Sequence, residues 1–278
     1  MNLKGQLTRR RFFYASIAAV GLYTWRVEPH WLEIVHRTLP VRHLPASLVG
    51  AKLVHATDLH IGPQVADDYL TDVFQIIRNL RPELVVYTGD FISTNTELQN
   101  HAPHMMDTLP HGKLGTFGVL GNHDYGNSFR EIHVGDLVAK LAENAGVRVL
   151  RNEMVNVQGL QIIGLDDLWA HLYQPGKVFP NVKPSEAAIT LVHNPDAVDQ
   201  PGWDNFTGWI LCGHTHGGQC KAPFLPPPIL PVNNRRYTRG AFDLSGNRRL
   251  YIGRGIGHIL RVRFNVRPEL TVFQLVQG

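Results

Sequence analysis

Cysteine is scarce in this sequence. Only Cys212 and Cys220 occur among the 278 residues, and their spacing is not that of a C-x-x-C pair. Two cysteines cannot form a disulfide framework, which excludes the small secreted proteins that several disulfides hold together. We interpret both residues as structural thiols rather than as a disulfide or a pair of metal ligands.

A strong charge of one sign is also missing. The chain is 44% hydrophobic and 18% charged, which is ordinary for a soluble globular protein and excludes fibrous, disordered and polytopic membrane proteins. The formal net charge of +4 favours anionic partners but does not indicate a specific nucleic acid. A chain of this length can bury a large core in one domain or at most two.

The N-terminal segment differs from the rest of the chain. Arg9, Arg10 and Arg11 precede an uncharged, mostly apolar run, 12–25, which is shorter than the ~20 residues of a typical membrane-spanning helix. This order is typical of signal peptides, and Thr-Arg-Arg-Arg-Phe-Phe resembles the twin-arginine export motif. The alternative is a basic amphipathic helix on the membrane surface. No clear A-x-A cleavage site follows, and an uncleaved leader would remain as an anchor.

Five short apolar runs share one pattern: within three residues after its end, each is followed by Asp, Asn or His. The runs 53–56, 84–87, 117–120, 189–192 and 209–212 are followed by TDLH, TGD, GNHD, HNPD and GHTH. Each run is too short for a helix and reads as a strand. Open α/β sheets build their sites at the carboxyl ends of strands, so we expect these polar side chains to converge.

Helices are predicted between the first strands. Apolar residues at helical spacing in ADDYLTDVFQIIRNLRP predict an amphipathic helix that stops at Pro82. Two more helices are expected around TELQNHAPHMMDTLP and FREIHVGDLVAKLAENAG, and short strands follow from about Val147. The sequence therefore predicts a layered α/β domain with two sheets that face each other.

The strand ends carry the residue types that bind transition metals. Carboxylate, amide and imidazole groups together suit Zn, Mn or Fe rather than an all-oxygen calcium cage. One tetrahedral ion cannot use seven such groups, whereas two ions can if a carboxylate bridges them, and Asp90 is the natural candidate. The seven predicted ligands are Asp58, His60, Asp90, Asn122, His193, His214 and His216.

The series D-x-H, G-D, G-N-H-D, H and G-H-T-H resembles the calcineurin-like metallophosphoesterases, from about Trp31 to the end of the chain. Stretches such as GLDDLWA, LCGHTHGGQ and RFNVRPELTVFQL resemble the YaeI/YkuE-type branch, bacterial phosphodiesterases with twin-arginine leaders. That branch also includes enzymes that cleave the pyrophosphate of UDP-2,3-diacylglucosamine. The resemblance implies a four-layer α/β/β/α sandwich of two facing mixed sheets.

The resemblance also implies how two divalent ions divide the ligands. The first ion would be held by Asp58, His60, Asp90 and His216. The second ion would be held by Asp90, Asn122, His193 and His214. Mn, Zn and Fe all remain candidates for the two metal ions.

Phosphodiesters resist hydrolysis because their anionic oxygens repel nucleophiles. Two cations roughly 3.5–4 Å apart neutralise that charge and lower the pKa of a bridging water, which then attacks as hydroxide. His123 follows the predicted ligand Asn122 and is free to stabilise the developing charge or to protonate the leaving oxygen. Asp124 is the candidate that orients His123, with helix capping or a salt bridge as its alternative role.

Two differences from the motifs of related phosphatases indicate which phosphatase subclasses this chain does not resemble. Purple acid phosphatases have a tyrosine three residues after the bridging Asp, where this chain has Ser93, which argues against a tyrosinate-bound ferric ion. Serine/threonine protein phosphatases orient their catalytic His with a further Asp, for which this sequence has no clear counterpart.

Lysine is absent after Lys221, where nine arginines occur against one Asp and one Glu. Most of these arginines are expected on solvated strand faces. Arg254, within GRGIG, is the candidate contact to a substrate phosphate, because a guanidinium fork suits phosphate oxygens. The Pro-stiffened segment 225–232 either caps the sheet or covers an acyl chain.

The sequence thus predicts a phosphodiesterase with two metal ions, in which residues 1–27 form the signal or anchor and residues 28–278 a single metallophosphoesterase domain. Alternatives are a UDP-2,3-diacylglucosamine pyrophosphatase of lipid A synthesis and, in another class, a non-catalytic relative that binds phospholipid or metal. A binding module has no need of a free His beside the metals, so His123 favours the hydrolase. We expect a monomer that acts on a phosphodiester or phospholipid-like substrate, with a membrane surface as a further partner.

The leader predicts where the protein works. Twin-arginine export would deliver it to the periplasm or the outer face of the inner membrane, whereas a simple tether would keep it at the cytoplasmic face. Arg9→Lys with Arg10→Lys should trap an exported protein in the cytoplasm, while Arg26→Lys, outside the motif, should not. Protease treatment of intact spheroplasts measures this, and protection of the unaltered protein at the membrane would contradict export.

Overall fold

The computed structural model describes residues 9–99, 101–203 and 206–278, so the first eight residues of the predicted leader lie outside the described residues. The strands, in chain order, are β1 (Glu33–Val41), β2 (Lys52–Ala56), β3 (Leu84–Thr88), β4 (Gly115–Val119), β5 (Arg148–Val149), β6 (Glu153–Val157), β7 (Leu160–Gly164), β8 (Ala187–Leu191), β9 (Gly208–Cys212), β10 (Gly240–Asp243), β11 (Arg248–Ile252) and β12 (Glu269–Gln277). The helices are α1 (Arg9–Leu22), α2 (Asp67–Leu80), α3 (His101–Met106) and α4 (Ile132–Asn144).

The strands form two mixed sheets of six strands each. The first sheet has the order β1-β12-β2-β3-β4-β5, and the second has the order β10-β11-β9-β8-β7-β6. Strands β2 to β5 are parallel in the first sheet, as are β7, β8, β9 and β11 in the second. Parallel strands end at the same edge of their sheet, which gathers the polar strand ends at one side of each sheet.

The two sheets pack face to face over an apolar core. Leu53, Val86 and Phe117 of the first sheet belong to the same buried cluster as Ile189 and Leu211 of the second. Strands β3 and β8 are buried along their whole length. Burial on both faces explains why these runs read as continuously apolar instead of alternating.

Helices α2, α3 and α4 cover the outer face of the first sheet, where Leu70, Phe74 and Val138 pack with Val54 and Val85. The outer face of the second sheet is covered by shorter elements. They are the 3₁₀ turns Pro175–Lys177, Phe179–Asn181 and Pro195–Asp199, and aromatic residues between and after them. The predicted α/β/β/α sandwich is confirmed, with 3₁₀ turns in place of long helices in its fourth layer.

Helix α2 shows why the predicted elements form where they do. Asp67 and Asp68 lie in its first turn, where negative charge favours the helix dipole, and its apolar stripe is buried. The helix ends as Arg81 adopts a left-handed conformation (φ 49°) directly before Pro82, since a proline disfavours helical geometry in the preceding residue.

Helix α1 stands apart from this body, because all its residues are solvent-exposed. Contacts with the body begin after it, where the Thr24 carbonyl accepts a hydrogen bond from the Arg263 N–H (3.0 Å). Glu28 then accepts one from the Val266 N–H (2.6 Å). Among the described residues, no helix combines the length and the apolar character needed to cross a bilayer.

Candidate metal centre

The structure brings all seven predicted metal ligands together in one buried cluster at the strand ends. The first sheet supplies Asp58 and His60 after β2, Asp90 after β3 and Asn122 after β4. The second sheet supplies His193 after β8, and His214 and His216 after β9. The cluster therefore lies where the parallel strands of the two packed sheets end.

Asp58, His60 and His216 form one group whose ligand atoms lie within 4.8 Å of one another. Nε2 of His60 is 3.1 Å from Nε2 of His216, which is 3.4 Å from Oδ1 of Asp58. Atoms bound about 2.0–2.2 Å from a tetrahedral ion are about 3.3–3.6 Å apart. These separations therefore fit ligands that surround one cation.

Asp90, His193 and His214 form the second group. Nε2 of His193 lies 3.2 Å from Oδ2 of Asp90, 3.2 Å from Oδ1 of Asn122 and 3.1 Å from Nδ1 of His214. The same Oδ2 of Asp90 is 3.5 Å from Nε2 of His60 in the first group. Asp90 therefore faces both groups, as a bridging carboxylate must.

Hydrogen bonds at the far side of two rings decide which nitrogen points inward. Nδ1–H of His193 donates to the Thr88 carbonyl (2.7 Å), and Nε2–H of His214 donates to the Pro231 carbonyl (2.7 Å). In the neutral rings, the two inward nitrogens are then bare lone pairs that face each other and the oxygens of Asp90 and Asn122. Such an arrangement is repulsive unless a proton or a metal cation lies between the atoms.

The charges in the cluster also fit divalent cations. Burial raises the pKa of Asp58 above its usual range, and it lowers the pKa of His60 and of His214 to about 3. Burial also disfavours charge on His193, but the Asp90 carboxylate outweighs that effect and raises the pKa of His193 to about 10. In the described part of the chain, no Lys or Arg forms an ion pair with Asp58 or Asp90. The proton on His193 is the counter-charge of Asp90, and a divalent cation would take its place, which leaves the neutral imidazoles and carboxylates that a metal ion requires as ligands.

The backbone is unusual at the strand ends. Five of the seven predicted ligands have a positive φ, namely Asp58, His60, Asp90, His214 and His216. This region is costly for residues other than glycine, and such strain is concentrated at functional sites. Gly213 follows β9 where any side chain would collide with Thr57 and the Asp58 carboxylate. The glycines of GHTHGG thus let the chain turn, so that its two histidines reach different ligand groups.

His123 lies beside the cluster and is held at two points. Its backbone N–H donates to Oδ1 of Asp90 (2.9 Å), and its Nδ1–H donates to the Ser93 carbonyl (2.9 Å). The His123 ring is 5.1 Å from the His60 ring, centre to centre. Ser93 thus orients His123 through a backbone oxygen, which has no signature in a sequence.

The structure corrects the expected role of Asp124. The Asp124 carboxylate accepts hydrogen bonds from the backbone N–H groups of Ile92 (3.1 Å) and Gly121 (2.9 Å). It caps the 3₁₀ turn Asn122–Tyr125, instead of orienting His123. Of the two alternatives to orienting His123, capping or a salt bridge, the structure shows capping, because the buried amides of this tight turn need an acceptor.

Arg254 is already paired with two carboxylates in the structure, and its expected contact to a substrate phosphate stays a prediction. Its guanidinium donates to the Glu269 carboxylate and to Oε2 of Glu33 (3.0 Å). The side chain is largely buried and the two carboxylates neutralise it, so Arg254 braces β1 against β12. Its partners are distant in sequence, and residue spacing alone could not reveal them.

Comparison with known proteins identifies the family. Residues 51–218, more than half of the chain, match the family model described as calcineurin-like phosphoesterase. The chain belongs to this family, whose members are metal-dependent phosphoesterases, and it is an enzyme of that class. This agrees with the resemblance noted in the sequence.

Particular relatives cover almost the whole chain. Phosphodiesterase YaeI of Escherichia coli is 30% identical over 285 residues, which cover 97% of this chain and 100% of the relative. The metallophosphoesterase YkuE of Bacillus subtilis is 30% identical over 290 residues, 97% of this chain and 98% of the relative. UDP-2,3-diacylglucosamine pyrophosphatase LpxG of Chlamydia muridarum is 26% identical over 319 residues, 93% of this chain and 95% of the relative.

The shared position of Asp90 leads to a prediction on metal content. Asp90→Ala should lower bound metal from two equivalents to fewer than one and abolish activity, because both groups lose a ligand. His60→Ala and His193→Ala should each remove about one equivalent. Elemental analysis of dialysed protein measures this, with Asp72→Ala, an exposed carboxylate on α2, as the control. Two equivalents retained by Asp90→Ala would rule out the bridging role.

A second prediction tests the structural role of Arg254. Arg254→Gln should lower the free energy of unfolding by about 3–5 kcal/mol, since it leaves the buried Glu269 carboxylate uncompensated. The KM for a soluble phosphodiester should not change. Denaturant unfolding and steady-state kinetics measure the two effects, with the exposed Arg148→Gln as control. A raised KM with unchanged stability would restore a substrate role for Arg254.

Proposed function

We propose that this enzyme hydrolyses phosphodiester bonds at the metal centre. The observation that carries the proposal is a pair of cavities that share Phe129 in their linings, the smaller of which is also lined by His123. One cavity of about 660 Å³ is lined by Phe129, Arg130 and Trp169, among others. The other, about 320 Å³, is lined by His123, Phe129 and Ile259, among others. Two cavities suit a phosphate with two substituents, whereas a monoester would need only one.

The cavities adjoin the predicted ligands. The Trp169 ring is 4.6 Å from the His214 ring, and the Phe129 ring is 5.0 Å from the His123 ring, centre to centre. A phosphodiester whose phosphate lies at the ligand groups would therefore have one cavity near each of its two ester substituents. When bound, two divalent cations supply charge stabilisation and lower the pKa of water.

His123 is proposed to handle the proton of the leaving group. Its Nδ1–H is engaged by the Ser93 carbonyl, so Nε2 is the atom left for chemistry. A proton held at Nε2 can pass to the leaving oxygen as its bond to phosphorus breaks. Because the backbone N–H of His123 is tied to Asp90, the ring keeps a set distance from the ligand groups.

A UDP-linked lipid is the second candidate substrate. The larger cavity combines two aromatic rings, 5.8 Å apart, with Arg130, which suits stacking of a nucleobase and pairing with a second phosphate. The relative LpxG is named for cleavage of UDP-2,3-diacylglucosamine. Turnover of a simple nitrophenyl phosphodiester can be compared with turnover of UDP-2,3-diacylglucosamine. Preference for the simple diester would favour the first candidate, and preference for the UDP-linked lipid would favour the second.

For the location of the enzyme, we keep the proposal of export through the twin-arginine route, with residues 1–27 as leader and residues 28–278 as one domain. The exposure of the whole of α1 supports this division, as do the body contacts that begin at Thr24 and Glu28. A tether at the cytoplasmic face remains the alternative.

The role of His123 can be tested with substrates of different leaving groups. His123→Ala should keep its metal and lose turnover by a factor on the order of 10²–10⁴ with a poor leaving group. The loss should be smaller with nitrophenolate, which needs no proton. His133→Ala, an exposed histidine on α4, is the matched control. An equal loss for both leaving groups would exclude proton donation.

A further inference from the structure

Three segments expose an unusual number of large apolar side chains. They are the last residue of α1 with the turn after it (22–27), the loop 221–230 and the loop 259–263. We call their combined surface the basic apolar surface. Its exposed apolar residues include Phe224, Ile229 and Leu260, which are 103%, 78% and 68% exposed. The others are Leu22, Trp25, Val27, Leu225, Ile259 and Val262.

Hydrogen bonds show that the three segments adjoin. The Arg263 N–H donates to the Thr24 carbonyl (3.0 Å), which joins the chain after α1 to the loop 259–263. The Gln219 side chain donates to the carbonyls of Leu260 and Val262 (2.8 Å each). The Lys221 N–H donates to the Phe264 carbonyl (2.9 Å), which joins the remaining loop. The three segments that carry the exposed apolar side chains therefore lie next to one another.

The loop 221–230 is braced in an outward position. Pro226, Pro227 and Pro228 restrict its backbone. Pro227 is buried, and its carbonyl accepts a hydrogen bond from the Arg235 guanidinium (2.8 Å). These contacts hold the loop at Pro227, three residues from the fully exposed Phe224.

The charge of this region has one sign. The stretches 9–27, 219–239 and 253–267 contain no Asp or Glu. The exposed or half-exposed cations in these stretches are Arg9, Arg10, Arg11, Arg26, Lys221, Arg235, Arg236, Arg239, Arg261 and Arg267. Apolar side chains rimmed by cations match an anionic lipid surface, since the apolar groups enter the headgroup region and the cations pair with phosphates. A second copy of this chain would present the same positive charge and be repelled.

We propose that the basic apolar surface docks the enzyme on an anionic lipid bilayer. Ile259 belongs to this surface and also lines the smaller cavity beside His123. Docking therefore turns the mouth of that cavity towards the lipid. The proposal goes beyond the proposed reaction, because binding to the bilayer does not require turnover.

Sedimentation with lipid vesicles tests the docking of the metal-loaded full-length protein. Phe224→Ser, Leu225→Ser and Leu260→Ser combined should weaken binding to phosphatidylcholine vesicles that contain phosphatidylglycerol by about tenfold or more. Turnover of a soluble nitrophenyl phosphodiester should stay at the level of the unaltered enzyme, which shows that the variant is folded. Ile132→Ser with Leu137→Ser, two equally large exposed side chains on α4, should bind as the unaltered protein does.

A second measurement reports contact with the lipid directly. A tryptophan in Phe224→Trp should be quenched by lipids brominated on their acyl chains, whereas one in Ile132→Trp should not. Several results would overturn the proposal. Unchanged vesicle binding of the triple variant would assign the binding to α1 alone. Equal binding to vesicles without phosphatidylglycerol would show that anionic lipid is not recognised. A dimer that forms without lipid and dissociates in the triple variant would show that the surface binds a second copy of the chain.

Discussion

The buried Asp90 carboxylate is the group on which the rest of the site depends. Its Oδ2 faces His60 in one ligand group and His193 in the other, and its Oδ1 accepts the backbone N–H of His123. One side chain thus sets the spacing of both groups and the position of the proposed proton donor. A buried carboxylate is unfavourable without a counter-charge, which here is either the proton on His193 or a bound cation, so metal binding and the stability of this end of the fold are coupled.

The metal centre also depends on the packing of the two sheets. The carboxylates and the amide come from the first sheet, and three of the four histidines come from the second. Neither sheet holds a complete ligand group, because each group combines residues from both. The apolar core that includes Leu53, Val86 and Leu211 therefore does more than stabilise the fold. It holds the two halves of the centre within the few ångströms that coordination tolerates.

The arginines of the C-terminal part have two separate roles. Arg254 pairs with Glu33 and Glu269, and Arg263 is fully buried, with its guanidinium donating to the carbonyls of Arg254, Gly255 and Gly257. These buried cations hold the loop after β11 against the first ligand group. Arg235, which is exposed, and Arg261, which is half-exposed, instead belong to the basic apolar surface. Their charges are therefore open to an anionic partner, whereas those of Arg254 and Arg263 are not.

The sequence by itself determined the strands, the main helices and the seven candidate ligands, because apolar periodicity and the residue types after each strand are local properties. It also pointed to Asp90 as the bridge and to His123 as the free histidine. Only the tertiary structure decided that the Ser93 carbonyl orients His123, that Asp124 caps a turn and that Arg254 is neutralised. These roles depend on partners up to 221 residues away, or on backbone oxygens that every residue carries. Spacing along the chain contains no record of either, since only packing of the two sheets brings such groups within hydrogen-bonding distance.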